Sequence, residues 1–331
     1  MLSVKRSRPY SPQGVFLFSL FLLLAFAIVY REYRFYRLPI LEQIPKTLED
    51  QRVISGVTRD GIPSIDEPVF ETIFAADQHL QDDGFGIAIQ RNGFYRFYPY
   101  QILVWHEIVN DVFEGKPLAI TYSPLTYTSA VFERDLGEEV GVLTFGVDGT
   151  VLDNHLVLYD RQTESLWSQL HQKSFAGKLH ETVLSSYPFT VMNWQTFKTI
   201  YPNGQALSQE TGVSRDYLRN PYGNYHLTQD IYFPLSHMDE RLPSKTVIFG
   251  ITVGDKHIAI SKEIIIKEKD FFLDLEEQVM IHIVYDASLD FIQAFLKKGE
   301  REEALQLEPA FWFSWVATHP ETEIYQGVIS S

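Results

Sequence analysis

The sequence predicts a mainly β protein, of the β-rich α+β class, built from two related β-rich halves that arose by internal duplication. Each half carries a small aromatic-bearing helix, and one N-terminal transmembrane helix precedes them. Three observations predict this. A strand–turn–strand–helix pattern occurs twice, an aromatic helix stopping at a proline closes each occurrence, and residues 15–30 form an unbroken apolar run. The 331 residues are 45% apolar and 14% aromatic, enough for a packed core, which excludes wholesale disorder.

The apolar run, VFLFSLFLLLAFAIVY, follows Lys5, Arg6 and Arg8 and precedes Arg31, Arg34 and Arg37. As a helix, its 16 residues span ~24 Å, somewhat less than a ~30 Å hydrocarbon core. Snorkelling arginines, with Tyr33, Phe35 and Tyr36 at the interface, make up the difference. A cleaved signal peptide, with Ala25 and Ala27 at its cleavage site, is the competing reading. Leu, Ile and Phe crowd that site and the apolar run continues through it, which favours an uncleaved signal-anchor. A buried core helix is seldom so uniformly apolar between aromatic and basic flanks.

Residues 1–40 hold six basic and one acidic residue, which leaves 22 basic and 42 acidic residues on the rest, a balance of −20. A body that acidic is repelled by phosphate backbones, so nucleic acid is excluded as a partner. Flanking basic residues number three on each side of the run, and the free N-terminal amine together with the acidic body favours N-terminus inside. The expected layout is residues 1–37 as anchor in a bacterial inner (cytoplasmic) membrane, 38–59 as stalk, 60–212 as first half and 213–331 as connecting loop and second half, on the extracytoplasmic, periplasmic side. The chain has no cysteine, which removes disulfides, thiolate metal sites and cysteine nucleophiles together.

The repeat begins where Phe85-Gly86-Ile87-Ala88-Ile89 matches Phe249-Gly250-Ile251-Thr252-Val253. Turns at Arg91-Asn92-Gly93 and Gly254-Asp255-Lys256 lead to a second strand in each copy. Amphipathic pieces follow (100–105; 262–266), then strands ending in Tyr122 and Tyr285, then strands closed by Phe132 and Phe295. In the tails, Trp194 and Phe197 precede Pro202 as Trp312 and Trp315 precede Pro320. Aromatics three apart share a helical face, and proline stops the helix. The first copy carries an insertion, 143–170, read as further sheet with Asp148-Gly149 as its turn. Helix is also expected within 69–79, and 213–226 reads as an ordered surface loop.

The densest polar cluster is WHEIVND, Trp105 to Asp111. If helical, it projects His106 and Asn110 on one face and Glu107 and Asp111 beside them. Imidazole, carboxylate and carboxamide together suit a metal ion, with His106 as ligand, a proton relay, or a buried hydrogen-bond network. In the second copy Lys269 and Asp270 align with Trp105 and His106, so the scaffold does not require this chemistry. Ser123 and Thr126 flank Pro124-Leu125 after a strand, without the glycines of a nucleophile elbow, and read as a turn with hydroxyl capping. Asp160 and Arg161 are expected to pair within the fold, and Glu164 and Trp167 to line a pocket. His237, Asp239 and Arg241 form a polar knot between prolines that either is structural or completes a site around His106. No phosphate-binding glycine loop, H-E-x-x-H or dinucleotide fingerprint is present.

DGIPSID, WHEIVND, TYSPLTYTSAVF, LVLYDRQTESLWSQ, RDYLRNPYGNY, PLSHMDERLP and PAFWFSWVATHP together resemble the domain-of-unknown-function 3179 family of bacterial and archaeal, often exported, proteins. The resemblance spans about 60–325 and implies a fold unit with no established activity. It implies C-P-L-C where this chain has Ser123-Pro124-Leu125-Thr126, so a thiolate role there is lost. His106, His237, Asp160, Arg161 and Trp167 stand where the family pattern has the same residues, and His155 departs from it.

The expected function is a membrane-anchored extracytoplasmic module that binds a ligand or metal in a pocket around His106. Ligand-binding candidates are Trp105, His106, Glu107, Asn110, Asp111, Ser123, Thr126, Asp160, Arg161, Trp167 and His237. A scaffold protein with a degenerate site, and a hydrolase using His106 and Glu107 as acid–base groups with or without a metal, are the alternatives.

Overall fold

A computed structural model describes residues 47–276 and 279–327. β1 (Val53–Ile54) and β2 (Phe70–Thr72) lead through α1 (Ile73–Ala76) into the first half. That half holds β3 (Phe85–Arg91), β4 (Phe94–Pro99), α2 (Tyr100–His106), β5 (Ile108–Phe113), β6 (Lys116–Ser123) and β7 (Thr128–Glu133). The insertion follows as β8 (Phe145–Leu152), β9 (His155–Asp160), β10 (Leu166–Ser168) and β11 (Lys173–Ala176). β12 (Thr190–Asn193), α3 (Trp194–Ile200) and β13 (Gln205–Leu207) close the half. The second half repeats the order as β14 (Val247–Val253), β15 (Lys256–Ser261), α4 (Lys262–Glu268), β16 (Asp270–Glu276), β17 (Val279–Asp286) and β18 (Phe291–Lys298). It ends with β19 (Arg301–Leu305), β20 (Glu308–Phe311), α5 (Trp312–Thr318) and β21 (Glu323–Tyr325).

These strands form five sheets that stand around a common centre as a five-bladed, propeller-like ring. Each half supplies one mixed sheet and one antiparallel meander, and the insertion with β1 supplies the fifth. The duplication is explicit in the pairing. The strand before each aromatic helix lies antiparallel to the first hairpin strand, β12 on β3 and β20 on β14. The strand after the helix lies parallel to the second, β13 on β4 and β21 on β15. A helix is the connection that such a parallel return requires.

Hairpin register corrects the sequence alignment by two residues. Gly86 pairs with Pro99 and Met192, while Ile248 pairs with Ser261 and Ala310, so Gly86 is equivalent to Ile248 and Gly250 to Ala88. The two glycines serve different close approaches. A Cβ on Gly86 would lie 2.5 Å from the Phe97 ring, and one on Gly250 would lie 2.2 Å from the Trp315 indole. The second half has Ala259 where the first has Phe97, and Trp315 where the first has Phe197. Volume removed at one position is restored at the other, as a close-packed interior demands.

Helix periodicity also gives out sooner than expected in WHEIVND. α2 ends at His106 because Glu107 adopts a left-handed conformation (φ 58°), and Ile108 onward is strand. α4 ends the same way at Lys269 (φ 65°). Glu107 is therefore equivalent to Lys269, and His106 to Glu268. Asp148-Gly149 is a bulge inside β8, not its turn. The hairpin turns at Asp153-Asn154, both with positive φ. Helix within 69–79 is confined to α1 and begins where Thr72 caps it. Residues 47–59 are docked rather than forming stalk: β1 pairs with β8, and Arg59 bonds the Asp148 carboxylate at 2.8 Å. The described residues belong to one compact unit, so the expected boundary at 212/213 lies within it. The transmembrane helix expected at residues 1–37 lies outside the described residues. Among the described residues no helix is long and apolar enough to cross a membrane.

Candidate functional site

α2 follows directly on Pro99, the extended residue that ends β4, and buries Ile102 and Leu103. Its C-terminal end, Trp105-His106-Glu107, is met residue by residue by the connecting loop. The Trp105 indole N–H donates to the Arg219 carbonyl at 2.9 Å. The Tyr217 hydroxyl bonds His106 Nε2 at 2.8 Å, and the Tyr222 hydroxyl donates to Glu107 Oε1 at 2.6 Å. His106 Nδ1 lies 2.7 Å from the Pro63 carbonyl. A carbonyl only accepts, so Nδ1 carries the proton and Nε2 accepts from Tyr217. Burial lowers the His106 pKa, with Arg215 adding to the effect, which keeps the ring neutral. Burial pushes Glu107 up to about 7 against the opposing Tyr222 hydrogen bond.

The rest of the motif ties sheets together. The Asn110 amide donates to the Phe145 carbonyl at 2.8 Å and to Asp66 at 2.7 Å, and its oxygen accepts the Phe145 N–H at 2.9 Å. β5 is thereby joined to β8. Asp111 receives Arg96 at 2.5 Å, the Tyr98 hydroxyl at 2.6 Å and the Val112 N–H at 2.7 Å. Every polar side chain of WHEIVND thus has partners within the fold, and a metal at His106 would have to displace Pro63 or Tyr217. Among the described residues no group of three or more His, Cys, Asp or Glu is placed to hold a metal ion.

The other expected residues are distributed around the ring. Ser123 ends β6, and its carbonyl accepts both the N–H and the hydroxyl of Thr126, the capped turn that the sequence predicts. Thr126 also accepts the Phe311 N–H, linking the two halves. Asp160 accepts the Trp167 indole N–H at 2.9 Å and the Thr163 N–H at 2.6 Å. Arg161 pairs instead with Asp60 at 2.9 Å. Trp167 is fully buried against the edge of Phe145. The His237 loop docks on the second half, where Arg241 stacks over Trp312 and bonds the Thr322 carbonyl. Among the described residues no hydrogen bond joins His237 to His106.

The cavity lies elsewhere, at the centre of the ring. Its volume is about 460 Å³, and four sheets contribute strand residues, among them Ala88 and Met192, Val131, Phe249 and Ala294, while the insertion contributes Gln169 from the connection after β10. From the turn at Thr126 a hydroxyl chain runs toward it through Thr128 (2.8 Å), which lies 3.3 Å from Gln169 and 3.4 Å from His155 Nδ1. Two fully buried polar atoms here have no hydrogen-bond partner among the described residues: Ser314 Oγ on α5, which lines the cavity, and Nε2 of His155 on β9, which faces the Ser314 main chain. Burial pushes His155 down to about 3, and nearby His171 and His319 add to it. Sequence reasoning missed Ser314 and the cavity altogether. For His155 the available signal was its departure from the family pattern.

No match was found among curated proteins or among solved structures. A family model does match, over residues 59–322. Those bounds take in both halves, the insertion and the loop that clamps α2, and they place the chain in the family described as protein of unknown function (DUF3179).

Proposed function

We propose that this chain is a membrane-anchored, extracytoplasmic binding protein that holds a small molecule at the centre of its ring. The carrying observation is the cavity of about 460 Å³ on which four of the sheets and the β10–β11 connection converge, with Ser314 Oγ buried and unpartnered in its wall. Small-molecule sites run to about 300–1,000 Å³, mostly apolar with a few polar groups that fix orientation. An unpartnered buried hydroxyl is costly, about 1–3 kcal/mol, and a ligand that bonds it recovers that cost. The His106 cluster supports a framing role, since its polar groups are already engaged. For anchoring, the support is the apolar run and basic flanks of residues 1–37.

Thermal-shift screening of the full chain against diverse small molecules tests the binding reading, with Ala294→Phe as the cavity-filling control. A ligand at about a hundred times its Kd stabilises by roughly 2.7 kcal/mol. The expected result is a compound that raises the Tm of the native protein and not of the variant. Compounds that stabilise both equally, or an absence of any stabilising compound, would overturn it. Alkaline extraction of membranes tests the anchor: the chain should stay with the pellet, and release into the supernatant refutes anchoring.

A further inference from the structure

Among the described residues the cavity wall has a single charged side chain. Glu308, at the start of β20, is half-buried and lines the cavity, and no Lys, Arg or His is among the lining residues. The structure gives its carboxylate no hydrogen-bond or ion-pair partner among the described residues. The duplication supplies a control within the molecule. Glu308 pairs with Gly250 as Thr190 pairs with Ala88, so the first half places a neutral side chain at the equivalent, also cavity-lining, position. The fold therefore does not need a carboxylate there.

We infer that the cavity takes an organic cation, an amine or quaternary ammonium on an apolar body, whose charge pairs with Glu308. This rests on the binding reading above and names its ligand class. An anionic ligand would meet a like charge with no compensating base in the wall. A neutral one would cover the carboxylate without pairing it. A cation satisfies it. Phe249, Phe291, Phe295 and Trp315 line the same wall, and aromatic rings attract cationic groups. The net charge of −15 draws cations toward the body and repels anions. Burial raises the Glu308 pKa, so cation binding should strengthen as pH rises through its titration.

The test is calorimetric titration of the full chain with benzyltrimethylammonium, its neutral carbon isostere neopentylbenzene, and 4-tert-butylbenzoate. The cation should bind roughly ten-fold tighter than the isostere, and the carboxylate weakest. Glu308→Gln keeps shape and hydrogen-bonding capacity, and should bring cation and isostere to within about three-fold of each other. If the isostere matches the cation on the native protein, or Glu308→Gln leaves the preference intact, the cation inference fails and the cavity reading stands. If no probe binds, and none is sensitive to Ala294→Phe, both fail together.

Discussion

The end of α2 and the central cavity are both built from polar and aromatic side chains, and they treat them in opposite ways. At the end of α2 the polar side chains of WHEIVND meet partners: Trp105 with Arg219, His106 with Pro63 and Tyr217, Glu107 with Tyr222, Asp111 with Arg96 and Tyr98. The unpartnered atoms nearby, Gln101 Nε2 and Arg96 Nε, lie outside that motif. In and beside the cavity wall, Ser314 Oγ and His155 Nε2 are buried without partners, and Glu308 has no counter-ion among the described residues. A satisfied buried network specifies and rigidifies a frame, whereas an unsatisfied one stores free energy that a ligand can release. Density of polar residues along the chain is therefore a poor guide to where binding capacity lies. Unmet hydrogen-bonding capacity is a better one.

Removing a partner from the frame should give the largest effect. Asp111→Ala leaves Arg96 half-buried and Tyr98 buried without their acceptor, and should cost about 3–5 kcal/mol in urea unfolding. A loss below about 1 kcal/mol would mean that the network does not hold the frame.

Glu107 gives a pH signature. Its folded pKa of about 7 lies above the ordinary 4.5, so the folded state binds its proton more tightly than the unfolded chain does. The resulting stability is fully present below pH 4.5 and is lost as pH rises to about 7. The total is about 3 kcal/mol. His155 and His319, with pKa values pushed down to about 3 and about 4, act in the opposite direction at acid pH. The measurement is therefore the difference between native protein and Glu107→Gln across that window. A difference independent of pH would show that Glu107 is not held protonated by burial.

His106→Phe strands the Pro63 carbonyl, leaves the Tyr217 hydroxyl with Thr211 alone, and should cost about 2 kcal/mol. It should leave the Kd of any cavity ligand unchanged, and a ten-fold loss of affinity would break the separation between frame and cavity. The smallest effect belongs to Ser314→Ala. Deleting a hydroxyl that has no partner should change ligand-free stability by no more than about 0.5 kcal/mol, while weakening a ligand that bonds it. A larger loss would mean that the hydroxyl has a structural partner.

Much of the fold was legible because strand alternation, turn residues and the paired aromatic helices are local signals. The helices at Trp194 and Trp312 and the hairpin turn at Asn92-Gly93 stand where the pattern places them. Register was not legible. Matching Phe-Gly-Ile to Phe-Gly-Ile slips the halves by two residues, because alternation is unchanged by a shift of two. WHEIVND reads as one helical segment only if Glu107 keeps a helical backbone, and its left-handed conformation is held by long-range contacts. Its carbonyl takes the Tyr122 N–H and its side chain meets Tyr222, while its N–H closes the last helical turn on Leu103. The partnership between WHE and the loop residues Tyr217, Arg219 and Tyr222 joins positions more than a hundred residues apart.

What the sequence determined by itself was the mainly β class, the duplication, the family and the absence of thiol chemistry, because each follows from residue types and near-neighbour spacing. Tertiary structure alone decided which polar groups are used up and which are left over. His106 looks available in the sequence and is fully bonded in the fold, while Glu308 looks like one acid among 43 and becomes the only charge among the described residues of the cavity wall. The physical reason is that hydrogen-bond satisfaction is a property of what surrounds an atom in space, and those surroundings are assembled from residues far apart in the chain.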